Sequence, residues 1–107
     1  MANANRGEIS ADLDGKSWNL CLTLGALASL ETKLEAQNLS ELTQKFSKGQ
    51  FSSDEIIKIL HAAIIGGGHE ITEAEVANLQ VEGGIGGYVK IVARLFEVTF
   101  MPLENEE

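Results

Sequence analysis

Three side chains of this sequence could act as nucleophiles or bind a soft metal ion: Cys21, His61 and His69. A metal site on one helix needs two such ligands about four residues apart, and the two histidines do not have that spacing. The sequence also contains neither a Cys-x-x-Cys nor a His-Glu-x-x-His motif. We therefore predict no catalytic residue, no metal site and no cofactor, and we expect all three to be boundary or loop residues.

Glycine-rich segments could instead bind a phosphate or another anion through free backbone amides. The Gly-Lys-Ser triplet at 15–17 matches the end of a phosphate-binding loop, but Ser10 stands where that motif needs glycine. The glycine cluster at 83–87 begins like a dinucleotide-binding fingerprint, but Val89 stands where the third glycine belongs. Close helix packing is the interpretation we favour for 83–87, and anion binding at this glycine-led helix start stays open as an alternative.

Composition and charge narrow the range of partners. The chain has 107 residues, of which 44% are hydrophobic, enough for one domain with an ordinary core. Its net charge of −8 argues against nucleic acid and against an anionic membrane surface. A single cysteine suits a reducing compartment, residues 1–6 lack the apolar run of a signal peptide, and no stretch reaches the ~18 apolar residues of a membrane helix. We expect a cytoplasmic protein.

A β-hairpin is predicted at the start of the chain. Apolar and polar side chains alternate over residues 8–13 and again over residues 17–22. Asp14 and Gly15, which stand between these segments, are typical of a two-residue hairpin turn. Because two strands alone are marginal in water, the apolar face of this hairpin must pack on helices.

Helix signals follow the hairpin. Thr23 is a candidate cap for a helix over about 24–36, and Ser40 for a helix over about 41–48. We expect the first helix to bury a leucine stripe, and Leu39, Leu42 and Phe46 form the apolar side of the second.

Two capping boxes mark the next two helices. The segments are Ser-Ser-Asp-Glu at 52–55 and Thr-Glu-Ala-Glu at 72–75, and they predict helices that reach about residues 65 and 79. On the first of these helices, Lys58 and Ala62 fall opposite the apolar side. We therefore expect both side chains to face away from the core.

The last predicted helix runs from about 84 to 101 and is apolar around most of its circumference, which is typical of a central helix. The predicted fold class is α+β, an N-terminal β-hairpin followed by four to five helices packed around this C-terminal helix. We expect a disordered N-terminus at 1–5, a single domain at 6–101 and an acidic mobile tail at 102–107.

Three hydrophobic residues are candidates for contact with a partner protein. Ile65 falls opposite the apolar side of its helix, so it is expected to be exposed. Phe46 and Phe51 flank a short polar connection. The alternative is that the core buries all three.

Six short segments, in a fixed order, carry a resemblance to a known family. They are Asn-Arg-Gly-Glu at 5–8, Thr-Leu-Gly-Ala-Leu-Ala at 23–28, Leu-Glu at 30–31, Gly-Gly-Gly-His at 66–69, Glu-Val at 75–76 and Val-Glu-Gly-Gly at 81–84. Their order and spacing resemble the small gene transfer agent family proteins of prophages and gene transfer agents. That family is similar to the tail assembly chaperones of long-tailed phages, and some descriptions call its members tail tube proteins.

The resemblance implies a non-enzymatic tail assembly chaperone, which binds the long tape measure protein and keeps it soluble while tube subunits polymerise around it. The partners it implies are the tape measure protein and the tail tube protein, with a homo-oligomer left open. Two alternatives remain. A structural tail tube subunit ranks second, because a ring with shared sheets needs more than two strands. A small anion- or ligand-binding domain ranks third.

Overall fold

A two-stranded hairpin followed by five helices forms the structure, a computed structural model that describes residue 3 and residues 6–100. This confirms the predicted α+β class, with the C-terminal helix packed against the other elements. Apart from residue 3, the predicted N-terminal segment at 1–5 lies outside the described residues, as does the tail at 102–107. The elements are β1 (Glu8–Leu13), β2 (Lys16–Cys21), α1 (Leu24–Lys33), α2 (Leu39–Lys48), α3 (Ser53–Gly66), α4 (Glu73–Ala77) and α5 (Gly84–Phe100).

The hairpin turn has the predicted geometry and is tied to a distant loop. Asp14 and Gly15 have positive φ angles of 57° and 76°, as a two-residue turn of this type requires. The Asp14 backbone N–H donates to the Gln80 carbonyl at 2.7 Å, and the Gln80 N–H donates to Asp14 Oδ1 at 3.2 Å. These two hydrogen bonds fix the turn beside the segment that leads into α5.

Side-chain caps set the beginning of four helices. Thr23 Oγ1 accepts the Ala26 N–H at 3.1 Å and begins α1. Both predicted capping boxes are present, the first formed by Ser52 with Glu55 at α3 and the second by the corresponding threonine and glutamate at α4. In each box the glutamate also accepts the N–H of the cap residue, so two otherwise unpaired donors are satisfied.

Two helix boundaries differ from the prediction. The cap of α2 is Asn38 and not Ser40, because Asn38 Oδ1 accepts the Glu41 N–H at 2.9 Å and the helix begins two residues earlier. The first helix ends at Lys33 and not near residue 36, since Glu35 has a positive φ of 59° and cannot continue it.

Helix α3 packs against β2, α1, α4 and α5 and so lies inside the assembly of elements. Its fully buried side chains include Ile59 and Ile64. The expectation that Ala62 faces away from the core is wrong, because Ala62 is only 6% exposed. The helix α1 packs against that side of α3, and the small side chains of Ala26 and Ala62 line the same groove where the two helices meet.

The end of α3 covers the outer edge of β2. A Cβ atom at Gly66 would come within 3.0 Å of the Cys21 carbonyl, and one at Gly67 within 3.0 Å of the Asn19 carbonyl. Just beyond these glycines, His69 Nε2 accepts the Asn19 N–H at 3.4 Å. The glycines at the end of this helix therefore allow a close approach between helix and strand backbones.

Candidate functional site

Two of the predicted partner-binding residues, Phe46 and Phe51, lie in one aromatic cluster. Their rings are 5.5 Å apart in an edge-to-face arrangement. Phe46 also contacts Phe96 and Phe100 of α5, with ring centroids 6.1 Å and 5.7 Å away. Phe46 is only 5% exposed and joins α2 to α5, whereas Phe51 is half-buried. A contact between either residue and a partner stays a prediction.

An apolar groove of about 260 Å³ opens beside this aromatic cluster. The residues that line it include Phe46 and Phe51, Val89 and Ala93 of α5, and Ile56 of α3. A second apolar groove, of about 160 Å³, shares Ile56 and reaches α4. The surface around the N-terminal half of α5 is thus mostly apolar.

The third predicted residue, Ile65, lies elsewhere on the surface. It is 45% exposed and lines a groove of about 420 Å³ between α1 and α3, beside Gly25 and Ser29. The structure therefore brings Phe46 and Phe51 together and leaves Ile65 apart from them. Its contact with a partner also stays a prediction.

Four exposed large hydrophobic residues of the described chain were not among the predicted site residues, and one of them is Leu39 at the start of α2. Leu24 is 75% exposed at the start of α1, and Ile85 and Val89 are 67% and 47% exposed in the first half of α5. The apolar circumference of α5 led us to expect these two side chains to be covered. Only Val92, Leu95 and Val98 of α5 are buried, because no other element of the described chain covers the first half of the helix on that side.

Outward-facing residues of α1 and α5 form two outer faces. The α1 outer face consists of the exposed Leu24 and Ala28 and the half-buried Glu31, which recur at helical spacing. The α5 outer face consists of Val89, Lys90, Ala93, Arg94 and Glu97, all of them exposed. Each face therefore combines apolar and charged side chains. Within the described chain, neither Glu31 nor Lys90 takes part in an ion pair, whereas Arg94 lies 3.6 Å from Glu97.

The titratable groups with shifted pKa values serve structural contacts. The pKa of Glu55 is lowered because the Ser52 backbone N–H donates to it and because Lys45 lies 3.1 Å away. The pKa of Glu73 is lowered by the Lys33 ammonium at 2.7 Å, which ties α1 to α4. Both carboxylates therefore serve contacts that cap or join helices.

Cys21, the candidate nucleophile, and the histidines also lie in structural environments. Burial raises the pKa of the Cys21 thiol, with a further contribution from Glu8, so the reactive thiolate is disfavoured. His61 Nε2 lies 2.9 Å from the Ile71 carbonyl oxygen. Over residues 6–100 and residue 3, the structure holds no group of three or more side chains that could bind a metal ion. No helix in the same part of the chain is long and apolar enough to cross a membrane.

The glycines that lead into α5 serve the turn itself. Gly83 and Gly84 have positive φ angles of 92° and 60°, a conformation that other residues rarely adopt. A Cβ atom at Gly87 would come within 3.0 Å of the Glu82 carbonyl oxygen. The interpretation of this cluster as close packing between two helices is therefore wrong, because the nearest atoms that a Cβ would meet at Gly83 and Gly87 belong to residues 81–87, and a Cβ at Gly84 or Gly86 would meet nothing within 4 Å.

Comparison with known families gives a match over nearly the whole chain. The family model described as "Phage tail tube protein, GTA-gp10" matches residues 6–102, which includes every strand and helix. The chain is thus similar to gene transfer agent and phage tail proteins, as the sequence resemblance implied. No curated protein and no solved structure gave a significant match.

The match corrects the predicted function. The tail assembly chaperone was our first interpretation, and it is wrong, because the family is described as a tail tube protein. The structural tail tube subunit, ranked second, agrees with that description. A ring with shared sheets needs more than two strands, and the described chain has only two. Strand count is a poor criterion here, since exposed helical faces can also join subunits.

Proposed function

We propose a function from the premise that this chain belongs to the family of phage tail tube proteins described as GTA-gp10. We infer that it is a structural, non-enzymatic subunit in the tail of a phage-like particle such as a gene transfer agent. In this role it assembles with copies of itself. The observation that carries the proposal is the family match across residues 6–102.

The exposed hydrophobic residues support an assembling subunit. In the single chain, large apolar side chains are exposed to solvent at Leu24, Ile85 and Val89. Scattered single residues of this kind are ordinary, but Ile85 and Val89 border two apolar grooves and so extend a contiguous patch. Burial of such a patch against a neighbouring subunit would stabilise an assembly by about 25 cal/mol per Å² of apolar surface before the costs of association.

The hairpin is less suited to join subunits. The end of α3 covers the outer edge of β2, where Gly67 lies against the Asn19 carbonyl. The acidic side chains of Glu8 and Asp12 lie along β1, and an antiparallel pair of two β1 strands would bring these like charges together. We therefore expect helical faces, and not shared sheets, to make the contacts between copies.

Other tail proteins are the further partners that we propose. A net charge of −8 favours a partner with a basic or apolar surface, and a tape measure protein inside the tube is one candidate. We propose that assembly takes place in the cytoplasm, where Cys21 would stay reduced.

Self-assembly of the purified full-length chain tests this function. Light scattering coupled to size exclusion would measure the mass over a concentration series, and negative-stain electron microscopy would show the particle shape. We expect rings or tubes that become more abundant as the protein concentration rises. A chain that remains monomeric at its highest soluble concentration, and also with the other tail proteins of its gene cluster, would overturn the proposal.

A further inference from the structure

The two outer faces of α1 and α5 carry complementary features. Both present apolar side chains to solvent, Leu24 on the α1 outer face and Val89 on the α5 outer face. The α1 outer face adds the acidic Glu31, and the α5 outer face adds the basic Lys90, and neither has an ion-pair partner within the described chain. Within the described chain, five of the eight Lys and Arg side chains take part in an ion pair, and Lys90 is one of the three that do not.

The two faces lie on separate parts of the surface. Helix α3 packs against both α1 and α5 and so stands between them. One copy can therefore offer its α1 outer face to one neighbour and its α5 outer face to another at the same time. Contacts between two different faces are heterologous, and repeated heterologous contacts build rings or helical tubes.

We propose that copies of this chain join head to tail, with the α1 outer face of one copy against the α5 outer face of the next. This inference rests on the proposed function and adds the surfaces that carry it. In the contact, Leu24 packs against Val89 and Ala93, and Glu31 of one copy pairs with Lys90 of the other.

The same charges disfavour symmetric alternatives. Two α1 outer faces placed together would bring Glu31 next to its own copy. The α5 outer face carries the two bases Lys90 and Arg94 and the one acid Glu97, so two α5 outer faces together would carry a net positive charge. Like charges at a contact suppress the wrong pairing, whereas opposite charges favour the right one. The heterologous contact places the acidic α1 outer face against the α5 outer face, which has a net positive charge, while it covers both apolar surfaces.

A charge exchange tests this contact. We expect Glu31→Lys alone and Lys90→Glu alone each to raise the concentration needed for assembly by about tenfold, measured by light scattering. An equimolar mixture of the two variants should assemble again, because each copy then offers the charge that the other lacks. Glu70→Lys and Lys16→Glu change the same charges outside both faces and should assemble as the unchanged chain does.

A second pair of variants tests the direction of the contact. Leu24→Asp retains an intact α5 outer face, and Val89→Asp retains an intact α1 outer face. Each variant alone should stay monomeric, and their mixture should give a dimer of one copy each that grows no further. Circular dichroism and melting temperature would establish that each variant is folded.

Three results would overturn parts of this account. If the unchanged chain assembles and the variants assemble equally well, the proposed contact is wrong and the tail function stands. If the charge variants fail alone and their mixture also fails, the pairing of Glu31 with Lys90 is wrong. If the unchanged chain never assembles, the tail tube function itself fails, and the contact fails with it.

Discussion

Gly67 lies against the carbonyl oxygen of Asn19, where the last turn of α3 meets the outer edge of β2. A Cβ atom at this position would come within 3.0 Å of that oxygen, closer than real side chains come. The neighbouring Trp18 packs edge to face on His69, with ring centroids 5.1 Å apart, which holds the segment after α3 on the same strand. Helix and hairpin are therefore joined through backbone contacts that leave no room for a side chain.

The first prediction concerns this contact. We expect Gly67→Ala to lower the free energy of unfolding by about 3 kcal/mol or more, because the backbone atoms that it would meet cannot move aside. Urea denaturation would measure the change. Gly86→Ala is the matched control, since a Cβ there meets nothing within 4 Å and alanine favours helix over glycine. Equal effects of the two substitutions would contradict the close backbone contact between Gly67 and Asn19.

The second prediction concerns Ile65. Because this side chain is 45% exposed, we expect Ile65→Glu to leave the melting temperature almost unchanged. Its neighbour Ile64 is fully buried, so Ile64→Glu should prevent stable folding. A collapse of the melting temperature in Ile65→Glu would show that the exposed placement is incorrect. If the variant is folded but loses a tail partner in co-purification, Ile65 is a partner contact.

The third prediction separates the two phenylalanines. Phe46 is buried and contacts three other aromatic rings, so we expect Phe46→Ala to destabilise the chain by about 3–5 kcal/mol. Phe51 contacts one ring and is half-buried, so Phe51→Ala should cost clearly less. Thermal and urea unfolding would give both values. If Phe46→Ala proved the milder change, the aromatic cluster would not be part of the core.

The fourth prediction follows from the lowered pKa of Glu55. A carboxyl whose pKa is lowered by folding stabilises the folded state above its unfolded pKa, and this contribution is lost as the pH falls through the folded pKa. We expect Glu55→Gln to be less stable than the unchanged chain at neutral pH, and the difference to shrink as the pH falls toward about 3. Urea denaturation at both pH values would measure it.

A matched control keeps the fourth prediction specific. Glu70→Gln removes an exposed acid that has no ion pair within the described chain, so its effect should be small at both pH values. A difference for Glu55→Gln that stayed constant with pH would mean that the hydrogen bonds of the cap, and not the charge, account for its contribution.

The features that sequence reasoning predicted well are local ones. The turn at Asp14 and Gly15 and the capping boxes at Ser52 and Thr72 depend on residues a few positions apart, so their chemistry is visible in the sequence. The predicted cap of α2 was wrong, because local chemistry alone did not decide between two candidates. Asn38 and Ser40 are both good caps, and the choice between them depends on where the helix packs.

The features that sequence reasoning missed depend on tertiary placement. Ala62 is buried because α1 crosses that side of α3, and helical periodicity cannot show which side of a helix receives a second neighbour. Ile85 and Val89 stay exposed for the converse reason, since an apolar residue is buried only if another element reaches it. Of the predicted partner residues, the sequence indicated the exposure of Ile65 but could not place Phe46 within the core.

The hydrogen bonds between Asp14 and Gln80 have a consequence for how the protein is made. These residues are 66 positions apart, so the ribosome must release most of the chain before the hairpin turn finds its anchor. Helix α3 is made before Gln80, so it can already pack on β2, but β1 still lacks its contact with α5. Until α5 is made, the apolar surface that β1 buries against this helix stays exposed, and a product truncated before α5 would retain that exposed surface.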